Sequence, residues 1–412
     1  MKICPTLPFA LLGAGAIASL PGTSFAAGFV EDAKATLGLR NFYINRNFTN
    51  PGNPQGKAEE WTQSFILDAR SGFTEGPVGF GVDVLGLWSV KLDGGGGTYG
   101  TALLPRHDDG KPADDYGRLA VAGKLRVSKT ELKVGEWMPV LPILRSDDGR
   151  SLPQTFRGGQ VTSNEIAGLT LYGGQFRGNS PRNDASMDDM SYGGGVSDRF
   201  NFAGGEYKFN QDRTLVGVWN AVLKDVYQQQ YLQLSHSQPV GAWTLGANLG
   251  YFHGDEDGSE RAGELDNKTY SGMFSAKYAG NTFWVGLQKV DGDTWMRVNG
   301  TSGGTLANDS YNSSFDNANE RSWQVRHDFN FVTVGVPGLT LMNRYISGRD
   351  VHSGGVTDGK EWVRETELAY VIQSGAFKDL SVKWRNSSIR RDYSNNEFDE
   401  NRLIFNYPLS LL

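Results

Sequence analysis

The chain has 412 residues, of which 54 are glycine and 12% are aromatic, and its formal net charge is -6. Beyond the first 30 residues no run approaches the roughly 20 apolar residues that a membrane-spanning helix needs, which excludes a helical membrane protein. The negative net charge gives no indication of nucleic acid as a partner.

The first 26 residues have the three parts of a secretory signal peptide. Lys2 supplies the positive charge, residues 9–20 form an apolar stretch, and Ser24 and Ala26 form a small-x-small cleavage site. The only cysteine, Cys4, lies in this segment, so the mature chain has no thiol for a disulfide, a metal site or a nucleophile. We therefore predict a signal peptide over residues 1–26 and an exported domain over residues 27–412.

The exported part alternates apolar and polar residues with a period of two, which is typical of β-strands. The clearest alternation occurs in residues 78–92, 119–127, 270–278, 323–331, 380–384 and 403–411. Residues 36–48 and 226–237 have polar side chains on both faces. Around Trp362 the alternation does not show which residues face lipid and which face the lumen. All candidates together make about eighteen strands, many with aromatic residues near their ends, as in the girdles of membrane barrels. The pattern predicts one all-β domain, an eighteen-stranded antiparallel transmembrane barrel.

The predicted connections between strands fall into two sizes. Tight turns occur at residues 72–77, 335–338 and 374–378, and long polar loops at residues 93–116, 139–156, 179–197, 254–268, 292–320 and 349–360. Short periplasmic turns and long external loops are typical of outer-membrane barrels.

The long loop at residues 139–156 has an unusual composition. It contains Pro139, Pro142 and Pro153, and proline cannot donate to a sheet ladder, so this stretch is not a central strand. Its apolar residues, with Trp137 and Phe156 at its ends, need something to pack against. We predict that this loop folds into the lumen and narrows it.

If the apolar positions of each strand face lipid, the alternate positions face the lumen. Most of the charged residues at those alternate positions are cations. These are Arg70, Lys124, Arg126, Arg326, Lys383, Arg385 and Arg402, joined on the first strand by Arg40 and Arg46. Rows of Arg and Lys favour anions in pores, which suggests a track for carboxylates. The alternative is that the cations pair with luminal acids and hold the wall together. The candidate acids are Glu60, Asp68, Asp83 and Asp328.

The long loop also suggests where the channel is narrowest. Arg126 lies on the strand before it and Arg157 lies just after it. The candidate acids are Asp147 and Asp148 within the loop, and Asp309 or Asp316 in the loop at residues 292–320. Opposed Arg and Asp side chains would create a transverse field that orients zwitterions and polar anions. The alternative for each of these aspartates is a solvated surface charge.

Metal sites and catalytic chemistry have little support in the sequence. The five histidines show no ligand spacing, and the run of four glycines at residues 94–97 lacks the context of a phosphate-binding loop, so no metal or cofactor is predicted. An outer-membrane barrel enzyme would need a luminal histidine beside Ser or Asp, and none is visible. A structural barrel with a plugged lumen is a further alternative.

Seven segments spread from residue 28 to residue 412 carry a family resemblance. They are GFVEDAKATLGLRNFYINR, EGPVGFGVDVLG, DDYGRLAVAGKLRVSKTELKVGEW, SLPQTF, RSWQVRHDFN, GVPGLTLMNRYISGRD and NRLIFNYPLSLL. Through them the chain resembles the OprD family of substrate-specific outer-membrane porins of pseudomonads. The resemblance implies a monomeric barrel in which a basic ladder leads to an eyelet of Arg and Asp. It assigns the eyelet arginine to Arg126, the eyelet acid to Asp309, and the ladder to Arg40, Arg344, Lys383, Arg385 and Arg402.

The resemblance also suggests a substrate class. One branch of the family takes basic amino acids, and the other takes cyclic and aromatic carboxylates such as vanillate and benzoate. The loop WMPVLPILRSDDGRSLPQTFRGG, with its extra arginines, looks like that of the second branch, the OccK and BenF-like porins. We expect passive uptake of small, mainly aromatic monocarboxylates without catalysis, with a basic-amino-acid channel as the alternative. The expected partners are carboxylate substrates, outer-membrane lipid, lipopolysaccharide and the barrel-assembly machinery, with the chain a monomer or weak oligomer.

Overall fold

The computed structural model describes residues 27–300 and 305–412, so the predicted signal peptide lies outside the described residues. Its elements in chain order are α1 Ala27–Glu31, β1 Lys34–Phe48, β2 Lys57–Arg70, β3 Val78–Asp93, β4 Asp115–Val127, β5 Thr130–Trp137, β6 Val140–Leu141, β7 Leu144–Arg145, β8 Thr155–Ser163, β9 Leu169–Ser180, β10 Met190–Tyr192, β11 Gly195–Ser197, β12 Phe200–Phe209, β13 Thr214–Leu223, β14 Tyr227–Val240, β15 Trp243–Glu256, β16 Asp266–Tyr278, β17 Asn281–Gly292, a 3-10 helix Val298–Gly300, β18 Arg321–Asn330, a 3-10 helix Phe331–Val334, β19 Leu339–Ser353, β20 Val356–Val371, β21 Ser381–Arg391 and β22 Phe398–Ser410. No helix among these is long and apolar enough to cross a membrane.

Eighteen of the described strands form one antiparallel sheet. The sheet closes because β1 pairs with β2 on one side and with β22 on the other. The short strands β6 and β7, and likewise β10 and β11, form separate two-stranded ribbons within loops. The prediction of an eighteen-stranded antiparallel barrel is confirmed.

The two ends of the barrel differ in their connections. The first residues of β1 and the last residues of β22 lie at the end that carries tight connections, such as the two-residue turn between β4 and β5. We call this the turn end, and the opposite end the loop end. The long β3–β4, β5–β8, β9–β12 and β17–β18 loops all leave the loop end.

The outward face is apolar between two aromatic levels. Near the turn end, the rings of Trp243 and Tyr278 stack with centroids 4.9 Å apart, and near the loop end those of Tyr251 and Tyr270 lie 5.0 Å apart. Outward side chains between these levels, such as Leu249, are exposed. This arrangement matches a lipid-facing band with aromatic residues at both membrane interfaces.

The β5–β8 loop folds into the lumen, as predicted. Its Leu141, Ile143 and Leu144 are buried in one cluster with inward-facing rings that include Phe176 and Trp219. Burial of each aliphatic side chain stabilises the folded loop by about 1.5–3 kcal/mol. The β3–β4 and β17–β18 loops also bury apolar residues within the barrel, so three loops together narrow the lumen at this level.

Candidate functional site

A cavity of about 900 Å³ lies inside the barrel between the β5–β8 loop and the β17–β18 loop. Nine arginines of the described chain line it: Arg46, Arg145, Arg150, Arg182, Arg297, Arg344, Arg385, Arg391 and Arg402. Four aspartates also line it: Asp147, Asp148, Asp309 and Asp316. The cavity is therefore strongly charged, and the partner of each arginine decides which of them can bind a ligand.

The arginines that project from the barrel wall are ion-paired. Arg344 Nε donates to Glu365 at 2.6 Å, Arg385 Nε to Glu367 at 2.5 Å, and Arg391 Nε to Glu361 at 2.7 Å. The three acids lie on the luminal face of β20. Strand alternation does not reveal these acids, because the strand around Trp362 carries apolar and charged residues on both of its faces.

A fourth wall carboxylate serves two arginines. Glu400 accepts from Arg46 Nη2 at 2.7 Å and from Arg402 Nε at 2.6 Å, and its side chain is fully buried. Asn312 of the β17–β18 loop also donates to Glu400, at 3.0 Å. This triad carries one more positive charge than negative charge.

Tyr311 fastens the β17–β18 loop to the same wall. Its hydroxyl donates to Glu367 at 2.9 Å, and its backbone N–H donates to Glu365 at 3.1 Å. The guanidinium of Arg385 lies over its ring, 4.0 Å from the centroid, and that of Arg344 lies 4.9 Å away. Burial raises the pKa of the Tyr311 hydroxyl, so it stays protonated and remains a donor. The ladder thus holds the loop that narrows the channel.

The acids of the β5–β8 loop are also engaged. Asp148 binds Arg40 of β1 through two hydrogen bonds, of 2.7 and 3.1 Å, which tie the loop to the wall. Asp147 accepts from Arg182 of the β9–β12 loop. Burial lowers the pKa of Arg182 despite the nearby Asp147. Both acids therefore shape the constriction loop.

Two arginines of the same loop lack a carboxylate partner. The Arg145 guanidinium makes no hydrogen bond or ion pair with any residue that the structure describes, and the residue is exposed to the cavity. Arg150 donates only to the carbonyls of Thr101 and Gly149, both at 2.8 Å. Burial, and then the neighbouring Arg402 and Arg182, lower the pKa of Arg150. A guanidinium remains protonated in proteins, so the repulsion that lowers this pKa also favours an incoming anion.

The later loop contributes the remaining acids. Asp309 lines the cavity, accepts from the Ser314 hydroxyl at 2.7 Å, and offers its backbone carbonyl to Arg344 at 2.9 Å. Asp316 is almost fully buried, with Arg297 Nε 3.3 Å away, and burial raises its pKa. The structure thus brings all four candidate aspartates to one cavity.

Two predicted eyelet residues lie elsewhere. Arg126 is an exposed residue at the turn end of β4, next to Val127, and its guanidinium lies 4.2 Å from the centroid of the Phe73 ring. Arg157 is exposed on the outward face of β8, because its neighbour Phe156 points inward and is fully buried. Neither residue lines the cavity, so the assignment of Arg126 and Arg157 to the constriction is corrected.

The other predicted ladder residues occupy positions along the lumen. Arg70 pairs with Asp68 at 2.7 Å near the turn end, and Arg326 pairs with Asp328 at 2.8 Å. Asp83 lies between Lys124, at 2.7 Å, and Lys133, at 2.6 Å.

Two other predicted luminal residues have no ion pair within the described residues. Glu60 accepts a hydrogen bond from the backbone N–H of Thr101. Lys383 is half-buried beside Arg40 in a smaller cavity and makes no ion pair within the described ranges. Most of the ladder therefore follows the paired alternative.

A closed transmembrane barrel whose lumen is narrowed by charged inward loops is an outer-membrane channel. The family described as "outer membrane porin, OprD family" matches residues 27–411. The chain belongs to this family, whose members are channels and not enzymes, and it lies in the bacterial outer membrane.

Similar proteins and solved structures support the same assignment. The chain is 70% identical to "Porin-like protein GalP" of Pseudomonas putida over 400 residues, 96% of each chain. It shares 72% identity with a BenF-like porin from Pseudomonas fluorescens Pf-5, with a TM-score of 0.93 over 93% of this chain and 100% of that one. With the same coverages, it shares 67% identity with Pseudomonas aeruginosa OccK2 in complex with glucuronate (TM-score 0.87) and 50% with OpdK with vanillate (TM-score 0.88).

Proposed function

We propose that this channel takes up small carboxylates by diffusion, with aromatic monocarboxylates as its preferred substrates. The observation that carries the proposal is the pairing of the cavity arginines. Arg145 and Arg150 face the cavity without a carboxylate partner, whereas its other arginines within the described residues each have one. A carboxylate that enters can bind these two guanidinium groups without displacing an internal acid, and guanidinium matches carboxylate bidentately.

The surroundings of Arg150 add to this attraction. Arg46 and Arg402 share Glu400 and both act electrostatically on Arg150. Three guanidinium charges against one carboxylate leave an excess of two positive charges at this part of the wall. Anions are therefore favoured over cations at the narrow part of the channel.

The paired ladder still serves as a path for anions. Each guanidinium has five N–H donors, and a single carboxylate partner uses at most two of them. The remaining donors of Arg344 and Arg385 can contact a passing carboxylate weakly. A pore needs weak, successive contacts because a substrate that binds too tightly does not leave.

The same cavity offers contacts for an aromatic ring. Met138, Val140, Tyr311 and Phe398 line it beside the arginines. Val140 is exposed to it on the same short ribbon as Arg145, so a ring can pack there while its carboxylate binds the guanidinium. The complexes of related porins with glucuronate and vanillate support a carboxylate substrate and leave room for both cyclic and aromatic rings.

Current recordings of single channels in planar bilayers test the proposal. We expect benzoate to interrupt the current of the native channel, and arginine to have little effect. Replacement of Arg145 by Ala removes a charge-assisted contact of about 1.5–3 kcal/mol, which should weaken benzoate binding by about 10- to 100-fold. Arg157→Ala is the matched control, because Arg157 lies outside the lumen.

Three outcomes would contradict the proposal. Equal benzoate affinity in the Arg145→Ala and native channels would exclude Arg145 as a binding residue. Interruption of the current by arginine alone would indicate a basic-amino-acid channel. Absence of any current from correctly folded protein would indicate a plugged barrel.

A further inference from the structure

We propose that a row of cations on the outside of the barrel binds the phosphorylated glycolipid of the outer leaflet through its phosphate groups. This patch lies at the loop end of β17 to β19 and is independent of the lumen. It consists of Lys289, Arg321 and Arg349. The ligand is thus lipopolysaccharide held at the barrel surface, whether or not a substrate is in the channel.

Three cations of the patch are direct neighbours on one face of the sheet. Lys289 on β17 is paired in register with Arg321 on β18, which is paired with Arg349 on β19. Residues directly opposite in a sheet have Cβ atoms about 4.5–5.5 Å apart, and like charges at such positions are destabilising. A row of three cations is therefore expected where an anion lies against it.

The nearby acids only partly compensate this row. Lys289 Nζ lies 3.0 Å from Asp291. Asp350 is shared at longer distances, 3.7 Å from Arg321 and 3.9 Å from Arg349. The side chains of both arginines are more than half exposed, and exposed ion pairs of this kind contribute little to stability. The guanidinium groups can therefore turn toward a phosphate, which they bind bidentately.

Beside this row, carboxylates are direct neighbours, but a cation already accompanies them. Asp255 on β15 is paired in register with Asp266 on β16. Lys268 lies on the same outward face of β16, with its Nζ atom 3.3 Å from the Asp266 carboxylate. The three cations of the row are therefore the groups that this surface offers to an anion.

The patch lies at the height of the lipid headgroups. Tyr251 and Tyr270 are each four residues nearer the membrane centre than Asp255 and Asp266 on the same outward faces, and Trp323 is two residues from Arg321. Aromatic side chains mark the membrane interface, so charges just beyond them meet headgroups. The loop end faces outward from the cell, because the longer loops of outer-membrane barrels are extracellular, so the patch meets the phosphorylated headgroups of the outer leaflet.

Lipid binding by two matched triple variants tests the proposal. The first variant, Lys289→Gln, Arg321→Gln and Arg349→Gln, neutralises the cation row. The second variant, Lys129→Gln, Lys208→Gln and Lys378→Gln, neutralises three exposed lysines at the turn end. Binding of purified lipopolysaccharide to mature, refolded protein in detergent and Mg²⁺ is measured by native mass spectrometry. The expected result is at least about tenfold weaker binding by the first variant only, since each basic residue near an anionic lipid surface contributes appreciably.

Further measurements identify the chemistry of the contact. Dephosphorylated lipopolysaccharide should bind the native protein as weakly as intact lipopolysaccharide binds the first variant. Single-channel conductance should be unchanged in all variants, which shows that each is folded.

Three results would overturn the proposal. Equal lipopolysaccharide binding by the two triple variants would show that the cation row is not the site. Equal binding of dephosphorylated lipid to the native protein would show that phosphate is not recognised. Full competition by inorganic phosphate at matched concentration would show a site for free phosphate in place of a lipid site.

Discussion

Replacement of Glu400 by Gln tests how strongly the buried triad acts on a permeating anion. The substitution keeps the size of the side chain and removes the one carboxylate that Arg46 and Arg402 share. The wall beside the cavity then gains one unit of net positive charge. We expect stronger benzoate binding and higher anion selectivity, because the change acts directly on any carboxylate in the cavity.

The size of the effect follows from the geometry of the cavity. A volume of about 900 Å³ corresponds to a sphere with a radius of about 6 Å, so a carboxylate at its centre lies about 6–8 Å from the lining groups. One unit charge at that distance, with an effective dielectric constant of about 20, changes the binding free energy by about 2 kcal/mol. This corresponds to about 30-fold in affinity at low salt, and to less at physiological salt, where screening acts over about 8 Å.

The same substitution should also weaken the closed loop. Glu400 accepts hydrogen bonds from Arg46, Arg402 and Asn312, and an amide cannot accept all of them because its nitrogen is a donor. Loss of a partner from a buried ion pair costs about 3–5 kcal/mol. Asn312 belongs to the β17–β18 loop, so larger current fluctuations are expected as the loop detaches more often.

Reversal potentials and benzoate titrations in planar bilayers, at low and high salt, measure both effects. Asp399→Asn is the control, because Asp399 is a half-exposed acid that pairs with Arg390 at 3.0 Å on the outer face. Unchanged ion selectivity and benzoate affinity in a folded Glu400→Gln channel would contradict this prediction, since they would mean that the charge of the triad does not reach a permeating anion.

Three further predictions concern the inward loops. Tyr311→Phe removes the hydrogen bond to Glu367 but keeps the ring beside Arg385, whereas Tyr311→Ala removes both contacts. The single-channel conductance should therefore rise less in Tyr311→Phe than in Tyr311→Ala, and equal conductance in the two variants would contradict this. Leu141→Ala should lower the unfolding free energy by about 2–5 kcal/mol, measured by urea titration in detergent against the outward control Leu249→Ala. Because burial raises the pKa of Asp316, the folded loop binds a proton more tightly than the unfolded chain, so its stability is fully present below the ordinary pKa of 3.8 and is lost as the pH rises through the raised value. A less stable loop detaches more often from the wall, so the current noise of the native channel should increase as the pH rises over this range. The noise should stay constant in Asp316→Asn.

The barrel was predictable from the sequence because it depends on a local rule. Strand alternation fixes which face of the chain meets lipid, and the outward residues Phe80, Leu287 and Trp323 follow it. The inward course of the β5–β8 loop was also predictable, since its apolar residues needed a buried environment and its prolines excluded a central strand.

The depth of a residue in the barrel was not predictable from parity. Arg126 has luminal parity, yet it lies at the turn end because the turn follows directly after Val127. Depth depends on where each strand begins and on how the strands are staggered. Arg157 was misplaced for a different reason, since Phe156 takes the inward position at the start of β8.

The pairing of the ladder was likewise not predictable. Glu365 and Glu367 meet Arg344 and Arg385 across neighbouring strands, so the pairs depend on strand register. Tyr311 approaches the same arginines from a loop more than thirty residues away in sequence from Arg344. Parity could identify luminal cations, but only the tertiary structure distinguishes the paired ones from Arg145 and Arg150.

A crystal structure of the protein with para-bromobenzoate tests most directly whether a carboxylate binds Arg145 and Arg150, because the bromine can be located by its anomalous signal. We expect bromine density in the cavity between the β5–β8 and β17–β18 loops, with the carboxylate about 2.7–2.9 Å from the guanidinium nitrogens of Arg145 or Arg150. A carboxylate bound instead at Arg385 in place of Glu367, or a ligand found only outside the lumen, would contradict it.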